Sequence, residues 1–65
     1  MDTKIKGLIA LGASVSANCH PCVKYHYSKA KNMNISDEKI KEAIEVGRTV
    51  RRGAAGQMDK LIEEL

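Results

Sequence analysis

Apolar side chains in this chain recur at helical spacing and alternate nowhere, which confines it to an all-α fold. From about Thr3 to Ala17 they fall at Ile5, Leu8, Ile9, Gly12 and Val15, with Ser16 on the same arc. That is the i, i+3, i+4, i+7 pattern of an amphipathic helix. Asn18 suits its end. A second helix is predicted from about His20 to Lys31, because Pro21 is tolerated in a first turn, where its missing N–H has no intrahelical partner anyway. Asn32, Met33 and Asn34 form the turn that follows.

Ser36 is a good N-cap, and Asp37 and Glu38 place negative charge at the positive end of a third helix. Ile40, Ala43, Ile44, Gly47 and Val50 hold one face of it, and the phase extends through Ala54, Met58, Leu61 and Leu65. Gly53 and Gly56 interrupt that extension, each costing about 1 kcal/mol relative to Ala. A break is therefore expected between Gly53 and Gln57, with a short final helix beyond; one long helix is the alternative. The expected architecture is a helical hairpin or bundle of three to four helices in a single domain, residues 1–65. No repeat or linker divides the chain.

At 65 residues such a domain buries only about 60% of the surface its unfolded chain exposes. It has two tyrosines and no Phe or Trp, so Ile, Leu, Val, Met and Ala must supply the core. Its two cysteines are too close in sequence to staple distant elements. Burial between copies of the chain is the expected remedy, and we expect a homo-oligomer, a hexamer or trimer ahead of a dimer. The net charge is +3, but the basic residues are dispersed among acids and no aromatic accompanies the arginines. Nucleic acid is not an expected partner. No run approaches the roughly 20 apolar residues that span a bilayer, and Leu8–Leu11 is too short for a signal sequence. No membrane association is expected, and a cytoplasmic location is.

The chemistry concentrates in Cys19-His20-Pro21-Cys22-Val23-Lys24-Tyr25-His26, a C-x-x-C-x-x-x-H segment. Two cysteines at this spacing across a helix start can close a disulfide with little backbone movement. A thiolate there faces free N–H groups and the positive dipole end, which lowers a thiol pKa from about 8.5 to as little as roughly 3.5–7.5. His26 follows Cys22 by four residues and shares its helical face, so it can take the thiol proton and return it to a leaving group. The dipole favours Cys19 as the attacking sulfur and the histidine favours Cys22; for peroxide chemistry the balance tips slightly to Cys22.

Two other readings stand beside this one. The pair and the histidine can be inert buried residues. They can also be three zinc ligands, with His20 or a neighbouring subunit as the fourth that a structural site takes. A non-catalytic helical oligomerisation or metal-binding module is therefore the alternative function. A thioredoxin fold is not expected, since it needs a strand before the motif and a sheet around it, whereas the preceding segment here reads as helix and the chain is too short. Arg48, Arg51 and Arg52 read as a solvated face before they read as an anion site. At least one of Tyr25 and Tyr27 should pack at a helix contact. Gly47, Gly53 and Ala54 mark expected close helix approach.

From about Leu8 to Asp59 the sequence resembles the carboxymuconolactone decarboxylase family, in its alkylhydroperoxidase D-like branch. The resemblance rests on Cys19-x-x-Cys22-x-x-x-His26, the apolar helix before it and the stretch from Ser36 to Gly47, with Glu42-Ala43-Ile44-Glu45-Val46-Gly47 at its end. It implies an all-α hairpin fold, a homo-oligomer and a dithiol–disulfide cycle, often in peroxide defence. Cys19 and Cys22 would be the redox pair and His26 the proton relay, with no metal and no cofactor. A small hydroperoxide or a protein disulfide or dithiol would be the partner. Redox-active members usually carry a glutamate about twelve residues before the first cysteine. Here that position is Gly7, which implies a weak relay unless Glu42 or Glu45 supplies the carboxylate.

Overall fold

Three α-helices account for the chain in a computed structural model that describes residues 1–65: α1 (Thr3–Ser16), α2 (His20–Asn32) and α3 (Asp37–Glu63). α1 is capped by Asp2, whose carboxylate accepts from the Lys4 N–H at 2.7 Å. α3 is capped as expected by Ser36, whose hydroxyl accepts from the Lys39 N–H at 3.3 Å.

Both connections are built alike. Beyond α1 the Asn18 N–H donates to the Val15 carbonyl and the Cys19 N–H to the Ser14 carbonyl; beyond α2 the Asn34 N–H donates to Lys31 and the Ile35 N–H to Ala30. This pairing defines the Schellman turn, which satisfies carbonyls that a helix end leaves free. It needs a residue with positive φ, and asparagine fills that place twice, with φ of 54° at Asn18 and 59° at Asn34. Asparagine visits this region more readily than most residues with a Cβ.

α1 packs against both α2 and α3, while α2 barely meets α3. The core is Leu11, Ala30, Ile35 and Ile40, with Leu8, Val23, Met33, Ala43 and Ile44 packed around it. Leu11 is the largest fully buried side chain, whereas Ile5 and Ile9, counted above on the apolar face of α1, are exposed. With neighbours on two sides, the buried arc of α1 is rotated towards Leu8, Leu11 and Val15.

The tightest approach is the α1–α3 crossing. A Cβ on Gly12 would lie 3.0 Å from the Ala43 carbonyl oxygen; one on Gly47 would run into the Gly12 carbonyl and sit 2.9 Å from Val15 Cβ. Glycine is what lets the two backbones meet. The Ser16 hydroxyl bridges them, reaching the Gly12 carbonyl at 3.0 Å and the Gly47 carbonyl at 3.2 Å.

The expected break between Gly53 and Gln57 does not occur. α3 runs unbroken for 27 residues, about 40 Å at 1.5 Å per residue, and the molecule is 47 Å long and about 20 Å across. Neither Gly53 nor Gly56 has positive φ. Each costs a continuous helix only about 1 kcal/mol, while a break would forfeit several backbone hydrogen bonds. Gly53 does not mark a helix contact, since a Cβ there would meet nothing within 4 Å. Ala54 is likewise exposed. Gly47 does mark one. No helix is long and apolar enough to cross a membrane.

Candidate functional site

The turn after α1 delivers Cys19 as the N-cap of α2, so Cys22 stands three residues on in the first turn. Cys19 and Cys22 are joined by a disulfide with Cα atoms 5.2 Å apart, inside the range such bonds require. No side-chain hydrogen bond caps this helix; the covalent link spans the positions a capping side chain would connect. Pro21 sits between the sulfurs at the helix start and holds φ near the helical value. The amides of a first helical turn have no intrahelical acceptor, and the pair stands at this end of α2.

Both cysteines and His26 are half-buried. His26 lies one helical turn beyond Cys22, with its ring edge-on to Tyr25 at a centroid distance of 5.0 Å and an interplanar angle of 84°. Lys29 Nζ lies 5.8 Å from the centre of the Tyr25 ring. Tyr25 and Tyr27 are 60% and 43% exposed, so neither is buried at a helix contact as expected. α2 has only α1 as an extensive neighbour, and one covered face leaves most of its circumference in solvent.

A cleft of about 430 Å³ opens beside Cys19, walled by His20 and Lys24 of α2 and by Ile44, Arg48 and Arg51 of α3. Cys22 and His26 do not line it. The three residues singled out from sequence are thus split: Cys19 faces the cleft, and Cys22 shares a helical face with His26 behind it.

Position 7 does not adjoin the pair. A Cβ on Gly7 would meet Met33 Cε at 2.7 Å and Ile35 Cδ1 at 4.0 Å, towards the α2–α3 turn. Glu45 is engaged by Arg48 at 2.9 Å. Glu42 borders a separate apolar groove between α1 and α3. None of these positions brings a carboxylate to the cleft.

Arg51 has a role that sequence reasoning missed. Its Nη1 donates to Asn18 Oδ1 at 3.0 Å and to the Val15 carbonyl at 3.5 Å. It ties α3 to the turn that presents Cys19 and sets a positive charge at the C-terminal end of α1, where a cation is favoured. Nothing local in the sequence signals a contact across 33 residues. The Arg48–Glu45 pair, at i and i+3, was readable by its spacing. No group of three His, Cys, Asp or Glu side chains gathers as it would to hold a metal ion.

The sequence profile of the carboxymuconolactone decarboxylase family matches residues 1–58. No curated protein and no solved structure matches the chain.

Proposed function

The chain belongs to the carboxymuconolactone decarboxylase family, and on that premise we propose that it is a thiol–disulfide oxidoreductase in which Cys19 and Cys22 cycle between dithiol and disulfide. The observation that carries this reading is the bonded pair at the N-cap and first turn of α2, with Cys19 at the edge of an open cleft. A substrate can reach that sulfur, and helix amides stabilise its thiolate. We therefore assign attack to Cys19 and resolution to Cys22, with His26 taking the Cys22 proton.

With a hydroperoxide, the Cys19 thiolate attacks the terminal oxygen, the O–O bond breaks, and the alkoxide leaves as the alcohol after gaining a proton. Cys22 then attacks the sulfenic sulfur and expels water. The dithiol loses two electrons and the peroxide gains them. With a disulfide the same two sulfurs act by exchange, and a dithiol or protein dithiol partner restores the pair. No carboxylate lines the cleft to relay a proton, so peroxides are expected to be reduced slowly and disulfides readily. A reducing cytoplasm suits a pair that must be regenerated.

The working form is proposed to be a homo-oligomer, a trimer or hexamer. The chain alone exposes 5015 Å², about 900 Å² more than the roughly 4,100 Å² expected of a folded monomer of its mass. That excess is close to what one partner contributes to a standard interface, about 800 Å². The groove between α1 and α3 and the apolar residues late in α3 are where a second copy would lie.

The pH dependence of alkylation of the reduced protein tests the redox reading. One thiol should titrate well below about 8.5, and His26→Ala should slow disulfide closure. Two ordinary thiols, or one zinc held tightly per chain by both sulfurs, would overturn it.

A further inference from the structure

The cleft beside Cys19 is lined by basic side chains from two helices and by no carboxylate: His20 and Lys24 from α2, Arg48 and Arg51 from α3. An adjoining hollow of about 410 Å³ shares Arg48 and Arg51, adds Arg52 and again contains no acid. Of the ion pairs in the chain, Lys31 with Asp37 lies away from the cleft. Here only Arg48 has an acidic partner, Glu45, which stands outside the cleft. Arg51 is held by Asn18 and the Val15 carbonyl, neutral acceptors that position its guanidinium without cancelling its charge.

We propose that this cleft selects a small anionic disulfide, one that carries carboxylates. Its reacting sulfur lies against Cys19 and its carboxylates lie against Lys24, Arg48 and Arg51. The proposal rests on the redox reading above and specifies its substrate class. The cleft volume falls in the range of small-molecule sites, about 300–1,000 Å³, which favours a compact ligand over a protein surface. A field of one sign in a concave site raises the encounter rate of an opposite charge by roughly 10–10³-fold.

In the reaction the Cys19 thiolate attacks one substrate sulfur and the substrate S–S bond breaks. The first product thiolate leaves and is protonated by solvent. Cys22 gives its proton to His26 and attacks Cys19, releasing the second thiolate, which is protonated in turn. The protein dithiol is oxidised by two electrons and the substrate is reduced to two thiols.

The test is a single-turnover reaction of the pre-reduced protein with two chromogenic disulfides. One is the dianionic bis(carboxynitrophenyl) disulfide and the other the neutral dipyridyl disulfide. Lys24→Gln/Arg48→Gln should slow the dianionic reaction about tenfold and alter the neutral one by less than about twofold, as loss of steering requires. Salt at about 1 M, where the Debye length is about 3 Å, should produce the same selective loss in the unaltered protein, so the test does not depend on the variant folding. Equal effects on both reagents, or none, would overturn the charge assignment while leaving the redox reading intact. If the reduced protein reacts with neither reagent faster than a simple alkyl thiol, both fall together.

Discussion

α3 is one helix with two fates. Between Asp37 and Val50 it lies on α1: Ile40 and Gly47 are buried and Ala43 and Ile44 are half-buried. From Arg51 to Leu65 every residue is exposed. The apolar period is the same in both halves, yet Met58, Leu61 and Ile62 are each more than half exposed. The first half meets a partner within the chain; the second, beyond the contact of Arg51 with Asn18, has none. A periodic apolar face therefore specifies a helix and a demand for burial, but not the surface that meets the demand. The radius of gyration records the difference: 13.8 Å, against about 11 Å for a compact domain of this length. A free segment as short as the second half is marginal as a helix in water; here it extends a helix already nucleated on α1.

The same substitution in the two halves should have opposite signs. Gly47→Ala adds a methyl where the Gly12 carbonyl and Val15 Cβ already stand. Overpacking of this kind costs typically 1–3 kcal/mol, and the α1–α3 crossing has little freedom to yield because the clash is with backbone. Gly53→Ala meets open space and should gain up to about 1 kcal/mol from helix propensity alone. Urea unfolding of both variants measures the two effects. Equal signs would mean that the halves do not differ in packing.

A smaller effect separates assembly from folding. Leu61→Lys lies in the exposed half, so monomer stability should change by less than about 0.5 kcal/mol. If a second copy covers this face, self-association should weaken at least about tenfold, equivalent to about 1.4 kcal/mol. Sedimentation equilibrium across concentration checks it. An unchanged assembly would place the interface elsewhere, and a 7.1 kDa monomer at every concentration in the unaltered protein would remove the oligomer altogether.

The helices and their starts were legible because their signals are local: Ser36 with Asp37 and Glu38, Pro21, and the apolar spacing. The paired asparagines were only half legible. Asn18 read as a helix end, but that it and Asn34 build the same turn depends on hydrogen bonds spanning five residues. The choice of Leu11 over Ile9 for the core depends on α1 having two neighbours, which periodicity on one helix does not encode. The break expected at Gly53 overweighted a local penalty against the hydrogen bonds of a continuous helix. At the candidate site, the bonding of Cys19 to Cys22 and the shared face of Cys22 and His26 followed from spacing. The cleft did not, because its walls come from α2 and α3, and Arg51 reaches Asn18 only once α1 and α3 have crossed.

The smallest expected effect lies where the packed half of α3 begins. Lys31 Nζ bonds Asp37 Oδ1 at 2.6 Å, joining the last turn of α2 to the first of α3. The hydrogen bond and the charge of Lys31 hold the Asp37 carboxyl below its ordinary range, and Asp37 holds the Lys31 ammonium above its own. A lowered carboxyl contributes stability above its unfolded value, lost as pH falls through the folded one; a raised ammonium contributes below its unfolded value, lost as pH rises through the folded one. The pair is therefore fully effective across neutral pH and fades at both extremes. Both groups are solvent-exposed, so screening keeps the contribution small. Asp37 also sits at the positive end of the α3 dipole, and that contribution fades only at the acid end. The stability difference between the unaltered protein and Asp37→Asn should thus be largest near neutrality and vanish in acid. It should be reduced but not removed above the lysine range, because the dipole contribution survives there. Lys31→Met should give a difference that fades at both ends. If Asp37→Asn costs more than Gly53→Ala gains, the charged junction outweighs helix propensity in the exposed half, and the contrast between the halves begins at Asp37.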